Sequence, residues 1–372
     1  MKRIIAAFLI AGAFPATASA QELTVYSSLP LSGASRVQTK AINDGARQAL
    51  QEAGNAAGGK AVRLKTLNSA TRKAGSWTLQ RTVGNALKAA QDESTVAYIG
   101  EFNSGATRVS LPILSEAQIP QISPSNTYNG LTTNGAGTTP GEPDKYYPTG
   151  LRSYFRLLPN DHVQAAALAT AMRDRGCTKA GLVHDGEVYG KGMNADVKAT
   201  LTRLGVAVVT SRKITRKAPS AVRRAGADCM AYTGITANGA VRLFRSSALR
   251  AMKLFGSDGV AETAFVSRLP RSVDRRTTVL VATLSPADYG TPANRDPYYA
   301  TGYEAMKLIL DGLNASGGTR AGLLGWLPTV QNRASVLGTY GFDANGDTTL
   351  RRYGLYGLSG SSLVYQGAIT AG

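Results

Sequence analysis

"VAYIGEFNSGATRVSLPILSEAQIPQISPSNT", residues 96–127, decides how the fold is read. TVAYIG (95–100) reads as a strand. GATRVSLPILSEA (105–117) reads as a helix carrying Pro112, either kinked or placed near a first turn. IPQIS (119–123) is a further short strand. Strand, helix and strand in succession predict a parallel sheet covered by helices on both faces.

The same alternation extends in both directions. Towards the N-terminus, ELTVYSSLPL (22–31) and AVRLKTL (61–67) read as strands. Between them VQTKAINDGARQALQEAG (37–54) places Ala41, Ile42, Ala46, Ala49, Leu50 and Ala53 near helical spacing and stops at Gly54. SWTLQRTVGNALKAAQ (76–91) is a second helix. An irregular stretch rich in Gly, Thr, Pro and Asn follows at 123–150, of the kind that is either functional or disordered. The alternation then restarts. SYFRLL (153–158), KAGLVHD (179–185), VAVVTSRKI (206–214), CMAYTG (229–234), MKLFGS (252–257) and TVLVATL (278–284) read as strands. Helices are expected at 161–176 with Asp161 as N-cap, at 192–205 and at 295–318, and the tail 335–358 ends in strand-like sequence. The fold class is therefore α/β, with two Rossmann-like lobes whose strand-to-helix loops are the usual place for ligands.

The chain has 372 residues and a hydrophobic content of 43%, enough for one large or two medium cores. Residues 1–20 read as a signal peptide: basic MKR, apolar IIAAFLIAGAF, and Ala18-Ser19-Ala20 before Gln21. The apolar run is too short for a stable membrane anchor, and no Cys follows it to carry a lipid. An exported, periplasmic protein is expected. The net charge of +18 raises the question of nucleic acid. The basic residues are spread widely, with no basic-aromatic run, so a generally Arg-rich surface is expected and no nucleic-acid partner.

Cys177 and Cys229 are the two cysteines, each just before an apolar run. If those runs are neighbouring parallel strands, both lie at one sheet edge. A bridge and two buried free thiols both remain open. With two cysteines and two histidines, no four-ligand metal site is expected.

GLVHDGEVYGKGM (181–193) gathers His184, Asp185, Glu187 and Tyr189. A hydrolase would need a Ser or Cys beside the histidine on a sharp turn, and no G-x-S-x-G exists. The stretch reads instead as a strand entering a binding cleft. Tyr189-Gly190-Lys191-Gly192 is a weak hint of a phosphate cradle. There is no Walker loop, no G-x-G-x-x-G after the first strand and no C-x-x-C, so no cofactor is expected. FDANGD (342–347) begins like a calcium loop, but Thr348 and Gly354 stand where Gly and Glu are required. A turn at the NG pair is expected there. AVRLFRSSALRAMK (240–253) reads as a basic, solvated helix.

Several segments, taken in order, resemble the periplasmic substrate-binding proteins of branched-chain amino-acid ABC transporters, the leucine/isoleucine/valine type of the type I periplasmic binding protein family. They are LPLSGASRVQTKAINDGARQALQEAGNAAGG (29–59), the opening stretch 96–127, VHDGEVYGKG (183–192), FGSDGV (255–260) and YGFDANGD (340–347). The resemblance implies a Venus-flytrap of two lobes with three hinge crossings, near Leu158, Leu284 and Gly341. Lobe one would be 21–157 plus 285–340, and lobe two 158–284 plus 341–372. It also implies a non-enzymatic monomer that binds a small solute, an amino acid, and passes it to the membrane permease of an ABC importer.

By position, the resemblance gives Ser104 the ligand's α-carboxylate, Ser125 and Thr127 the neighbouring contacts, Tyr189 the closing aromatic and Asp258 the α-ammonium. Gln38 and Ile235 stand where relatives for aliphatic amino acids carry aromatics, so the side-chain pocket is expected to differ. Alternatives are an amide, urea or aromatic carboxylate as ligand, or a sensor that presents its ligand to a receptor.

Overall fold

The structure, a computed structural model, describes residues 22–292 and 295–370. The expected signal peptide, 1–20, lies outside them. Within the described residues two large sheets carry the fold.

The first sheet contains β1 (Leu23–Leu29), β2 (Ala56–Ala57), β3 (Lys60–Asn68), β4 (Thr95–Gly100), β5 (Gln121–Ser123) and β6 (Tyr154–Arg156), in the order β2-β3-β1-β4-β5-β6. All of its pairs are parallel except β2–β3. Every residue of β1 and β4 is buried, as helices on both faces require. The helix Arg36–Glu52 packs along the later helix Tyr298–Ala315. Two glycines permit this. A Cβ on Gly45 would lie 2.1 Å from the Tyr299 carbonyl oxygen, and one on Gly302 would lie 2.0 Å from that of Ile42.

The second sheet contains β7 (Lys179–His184), β8 (Ala207–Lys213), β9 (Cys229–Thr233), β10 (Lys253–Gly256) and β11 (Thr277–Val281), all parallel. After a short hairpin of β12 (Arg333–Ser335) and β13 (Gly338–Tyr340), the chain adds β14 (Arg352–Ser359) and β15 (Ser362–Thr370) antiparallel at the edge next to β11. The order is β15-β14-β11-β10-β9-β7-β8. The chain leaves the first sheet after β6, and after β11 it returns as the helix Tyr298–Ala315, packed on the helix Arg36–Glu52, before β14 and β15 join the second sheet. Ala180 lies opposite Cys229 in the β7–β9 register, and a disulfide joins Cys177 to Cys229 with Cα atoms 5.8 Å apart.

Several elements differ from the sequence reading. The helix expected at 192–205 spans Val188–Arg203, so Tyr189 sits in its first turn rather than in a loop. Asn160, not Asp161, caps the helix Asp161–Asp174, accepting from the Val163 N–H. The basic helix expected over 240–253 is helical only over Ala240–Phe244. Ser246 then leaves helical geometry and caps a separate turn at Ser247–Leu249.

The irregular stretch after β5 is packed rather than loose. Tyr128, Leu131, Tyr146 and Tyr147 form a buried cluster with Leu111 and Tyr154. Buried Glu142 accepts from the Tyr128 hydroxyl and the Thr139 N–H, both at 2.6 Å. FDANGD forms a turn in which Asp343 Oδ1 accepts from the Asn345 and Asp347 N–H groups at 2.9 Å. Asp343 therefore spends its carboxylate on backbone.

Candidate functional site

The carboxyl ends of β4, β5, β7, β9 and β10 converge on a cleft between the sheets. Phe102, Asn103, Ser104, Ser125 and Thr127 line one wall, Glu187, Tyr189, Ile235, Asp258, Gly259 and Glu262 the other, with Tyr298 beside them. Six of the seven ligand residues expected from sequence meet here. Gln38 does not. It lines an adjoining cavity of about 570 Å³ that also touches Tyr298, and its Nε2 donates to the Ala261 carbonyl at 2.8 Å. The correction has a physical cause: residue 38 sits in the first turn of the helix Arg36–Glu52, which faces the segment after Asp258 rather than the cleft itself.

The first wall presents the N-terminus of a helix. Ser104 begins the helix Ser104–Glu116, whose N-cap Asn103 makes no side-chain capping bond. A helix N-terminus left this way presents N–H donors and positive dipole charge. The Ser125 hydroxyl donates to the Phe102 carbonyl at 3.0 Å, and the Thr127 carbonyl accepts from the Asp161 N–H at 2.7 Å. The first bond holds the loops after β4 and β5 side by side, and the second ties the loop after β5 to the start of the helix Asp161–Asp174.

The second wall is acidic. Asp258 is 8% exposed. Its Oδ1 accepts from the Tyr189 hydroxyl, which also lies 3.2 Å from Gln164 Oε1. Burial pushes the Asp258 carboxyl up, and the bonds from Tyr189 and Gln164 oppose that shift. Glu187 is raised too, first by burial and then by the charge of Asp185. Burial raises Glu262 to about 7, against a hydrogen bond from Ser35. A cationic group entering here meets carboxyls that lack a lysine or arginine partner among the cleft-lining residues.

The constellation that resembled acid–base equipment has a structural task. Asp185 Oδ2 accepts from the Ile235 N–H and from Asn238 Nδ2, each at 3.0 Å, and its Oδ1 accepts from the Glu187 N–H at 2.9 Å. It therefore ties the loop after β7 to the loop after β9. Burial lowers the basicity of His184. The glycines of the suspected phosphate cradle serve packing. A Cβ on Gly190 would lie 2.2 Å from Asp185 Oδ1, and one on Gly192 would lie 2.7 Å from the Tyr128 ring.

Sequence reasoning missed Glu262 and Tyr298 as cleft residues. Glu262 follows Asp258 by four positions, a spacing at which a short turn returns it to the same wall. Tyr298 arrives from a distant helix and left no local signal.

A cleft between two parallel α/β lobes, at strand carboxyl ends, defines a binding-protein fold. The chain belongs to the periplasmic binding protein family, whose model matches residues 27–267. It is 25% identical over 231 residues to an amino acid binding protein of Pseudomonas aeruginosa, covering 58% of this chain and 55% of that one. It is 24% identical to Leu/Ile/Val-binding protein homolog 3 of Brucella melitensis, covering 67% of this chain and 65% of that one. These alignments thus span less than two thirds of either relative. Among solved structures, a leucine-binding protein of Thermotoga maritima superposes with a TM-score of 0.77 at 19% identity, covering 94% of this chain and 99% of that one. An ABC-transporter solute-binding protein of R. palustris in complex with benzoate gives 0.74 at 20% identity, covering 94% and 97%. The fold is the type I periplasmic binding protein fold. No helix among the described residues is long and apolar enough to cross a membrane.

Proposed function

We propose that this protein is an extracytoplasmic solute-binding protein that captures an amino acid between its lobes and delivers it to the permease of an ABC importer. The observation carrying this reading is the opposition of two walls. Ser104 at a helix N-terminus, with Ser125 and Thr127, suits a carboxylate, while buried Asp258 with Tyr189 suits an ammonium. A zwitterion needs both, because either charge buried alone is costly. Relatives named for amino acids support the class. The side chains leave a cleft volume of only about 30 Å³, far below that of an ordinary solute pocket, so the lobes part to admit ligand. The lobes in this reading are 21–157 plus 285–340 and 158–284 plus 341–372, a division supported by β1–β6 sharing one sheet and β7–β11 with β14 and β15 sharing the other. The protein acts in the periplasm as a monomer, without catalysis.

A second reading has one observation behind it. Phe102 and Tyr298 form a ring pair in the cleft with centroids 5.6 Å apart, which would suit an aromatic carboxylate. A thermal-shift screen against the amino acids, short amides, urea and benzoates separates the two, since a ligand raises the melting temperature by mass action. An amino acid is expected to give the largest shift. Silence from every amino acid together with a response to benzoates would replace the first reading by the second. Within the first reading, Ser104→Ala and Asp258→Asn each weaken binding by about 10-fold or more, as expected for hydrogen bonds to charged groups.

A further inference from the structure

Glu262 is 3% exposed and lines the cleft four residues beyond Asp258. Its Oε1 accepts from the Ser35 hydroxyl of the opposite lobe. Its Oε2 is buried without a hydrogen-bond partner. The Thr236 hydroxyl, which approaches the same carboxyl, donates to the Gly259 carbonyl at 3.4 Å. Gln38 repeats the pattern next door. Its amide nitrogen is committed to the Ala261 carbonyl, which fixes Oε1 as an acceptor, and that Oε1 is also buried and unpartnered. Two buried acceptors thus flank Ala261, beyond the groups that take the ligand's α-carboxylate and α-ammonium. Leaving buried acceptors unpaired costs free energy that a donor on the ligand recovers.

We propose that Glu262, backed by Gln38, is a specificity subsite that receives a hydrogen-bond donor on the ligand's side chain, so that the ligand class is amino acids with an amide or cationic side chain rather than aliphatic ones. The inference rests on the amino-acid reading of the cleft. The charge inventory points the same way. A zwitterion brings one ammonium, which Asp258 takes, and Glu262 and Glu187 remain on the same wall with no cationic residue among those lining the cleft. An aliphatic side chain would cover these carboxyls without pairing them, and a site built to pair a donor rejects the analogue that lacks it. Burial raises the Glu262 carboxyl, and a ligand ammonium nearby would favour its ionised form.

The test is calorimetric titration of the mature protein with glutamine, lysine, leucine and norleucine, which present the same α-groups. Wild type is expected to bind glutamine or lysine at least ~10-fold more tightly than leucine and norleucine. Glu262→Leu is expected to erase or reverse that ratio, and Glu262→Gln to weaken lysine more than glutamine. Leucine and norleucine binding to wild type as tightly as the better donor ligand overturns the inference, and this comparison needs no variant to fold. A donor preference that survives unchanged in folded Glu262→Leu overturns it as well. If no amino acid binds wild type, the amino-acid reading itself has failed and the subsite falls with it, an outcome visible before any variant is made.

Discussion

Arg156 Nε donates to Asp347 Oδ1 at 2.7 Å across 191 residues of chain. The pair joins the end of β6, where the chain leaves the first sheet, to the turn after β13, where it returns to the second. Arg156 is 0% exposed and also donates to the Tyr128 carbonyl at 2.9 Å and to the Thr132 hydroxyl. Asn160 adds a bond to Asp347 Oδ2 at 2.9 Å. The end of β6 and the turn after β13 are therefore locked to one another, and the packed stretch after β5 is anchored to the same guanidinium.

Removing one member of this pair leaves a buried charge without its counter-ion. Asp347→Ala is expected to destabilise the protein by about 3–5 kcal/mol, the range for breaking a buried pair from one side. Urea unfolding with the slope unchanged measures it. A loss under about 1 kcal/mol would mean that water reaches Arg156 and that the two segments are not locked by this bond.

Glu101 supplies a pH dependence. It is fully buried, accepts from the Tyr98 hydroxyl at 2.8 Å and from Ser28 at 3.2 Å, and burial raises its carboxyl to about 8. In the unfolded chain it ionises near pH ~4.3. Between those values the folded state holds more protons than the unfolded one, so stability from this group is full below about pH 4 and declines as pH rises towards 8. Glu101→Gln removes the decline. The unfolding free energy of the variant relative to wild type should rise from pH 5 to pH 9, by an amount on the order of a few kcal/mol, with its relative melting temperature rising in parallel. A constant difference across that range would show that Glu101 ionises normally in the fold.

The two sheets were legible because their strands are buried on both faces and so appear as near-continuous apolar runs between amphipathic helices. Ser104, Ser125, Thr127, Tyr189, Ile235 and Asp258 were singled out by the family resemblance rather than by local pattern, and all six line the cleft because each follows a strand end that opens onto it. Gln38 lines the neighbouring cavity instead of the cleft because its helix faces the segment after Asp258, a tertiary fact with no trace in local spacing. Glu262 and Tyr298 went unseen for a related reason: neither belongs to a strand end, and Tyr298 enters from a helix after the second crossing. The helix expected over 240–253 failed because its basic residues suit any solvated turn, while Ser246 offers the backbone a competing bond.

The Cys177–Cys229 disulfide closes a loop with a sequence separation of 52 and fixes the starts of β7 and β9. Replacing both cysteines by alanine is expected to cost about 2–4 kcal/mol, mainly by freeing the unfolded chain. A reductant should lower the melting temperature of wild type and leave the double variant unchanged. Equal melting with and without reductant would show that the bridge contributes nothing to stability.

Two contacts between the lobes lie side by side next to the cleft. The Ser35 hydroxyl donates to Glu262 Oε1, and Gln38 Nε2 donates to the Ala261 carbonyl at 2.8 Å. Both cross from the start of the helix Arg36–Glu52 in the first lobe to the segment after Asp258 in the second. Each bond is worth about 1 kcal/mol. Their loss shifts the population towards open forms and lowers apparent affinity by the fraction still competent to close. Ser35→Ala with Gln38→Ala should therefore show a larger radius of gyration than wild type without ligand by small-angle scattering. Saturating ligand should return both proteins to the same radius, because the ligand supplies its own bridge between the walls. A double variant as compact as wild type without ligand would locate the closing contacts elsewhere, with Glu187 the next to replace: its Oε2 lies 2.9 Å from where a Cβ on Gly105 would stand, across the mouth of the helix that begins at Ser104.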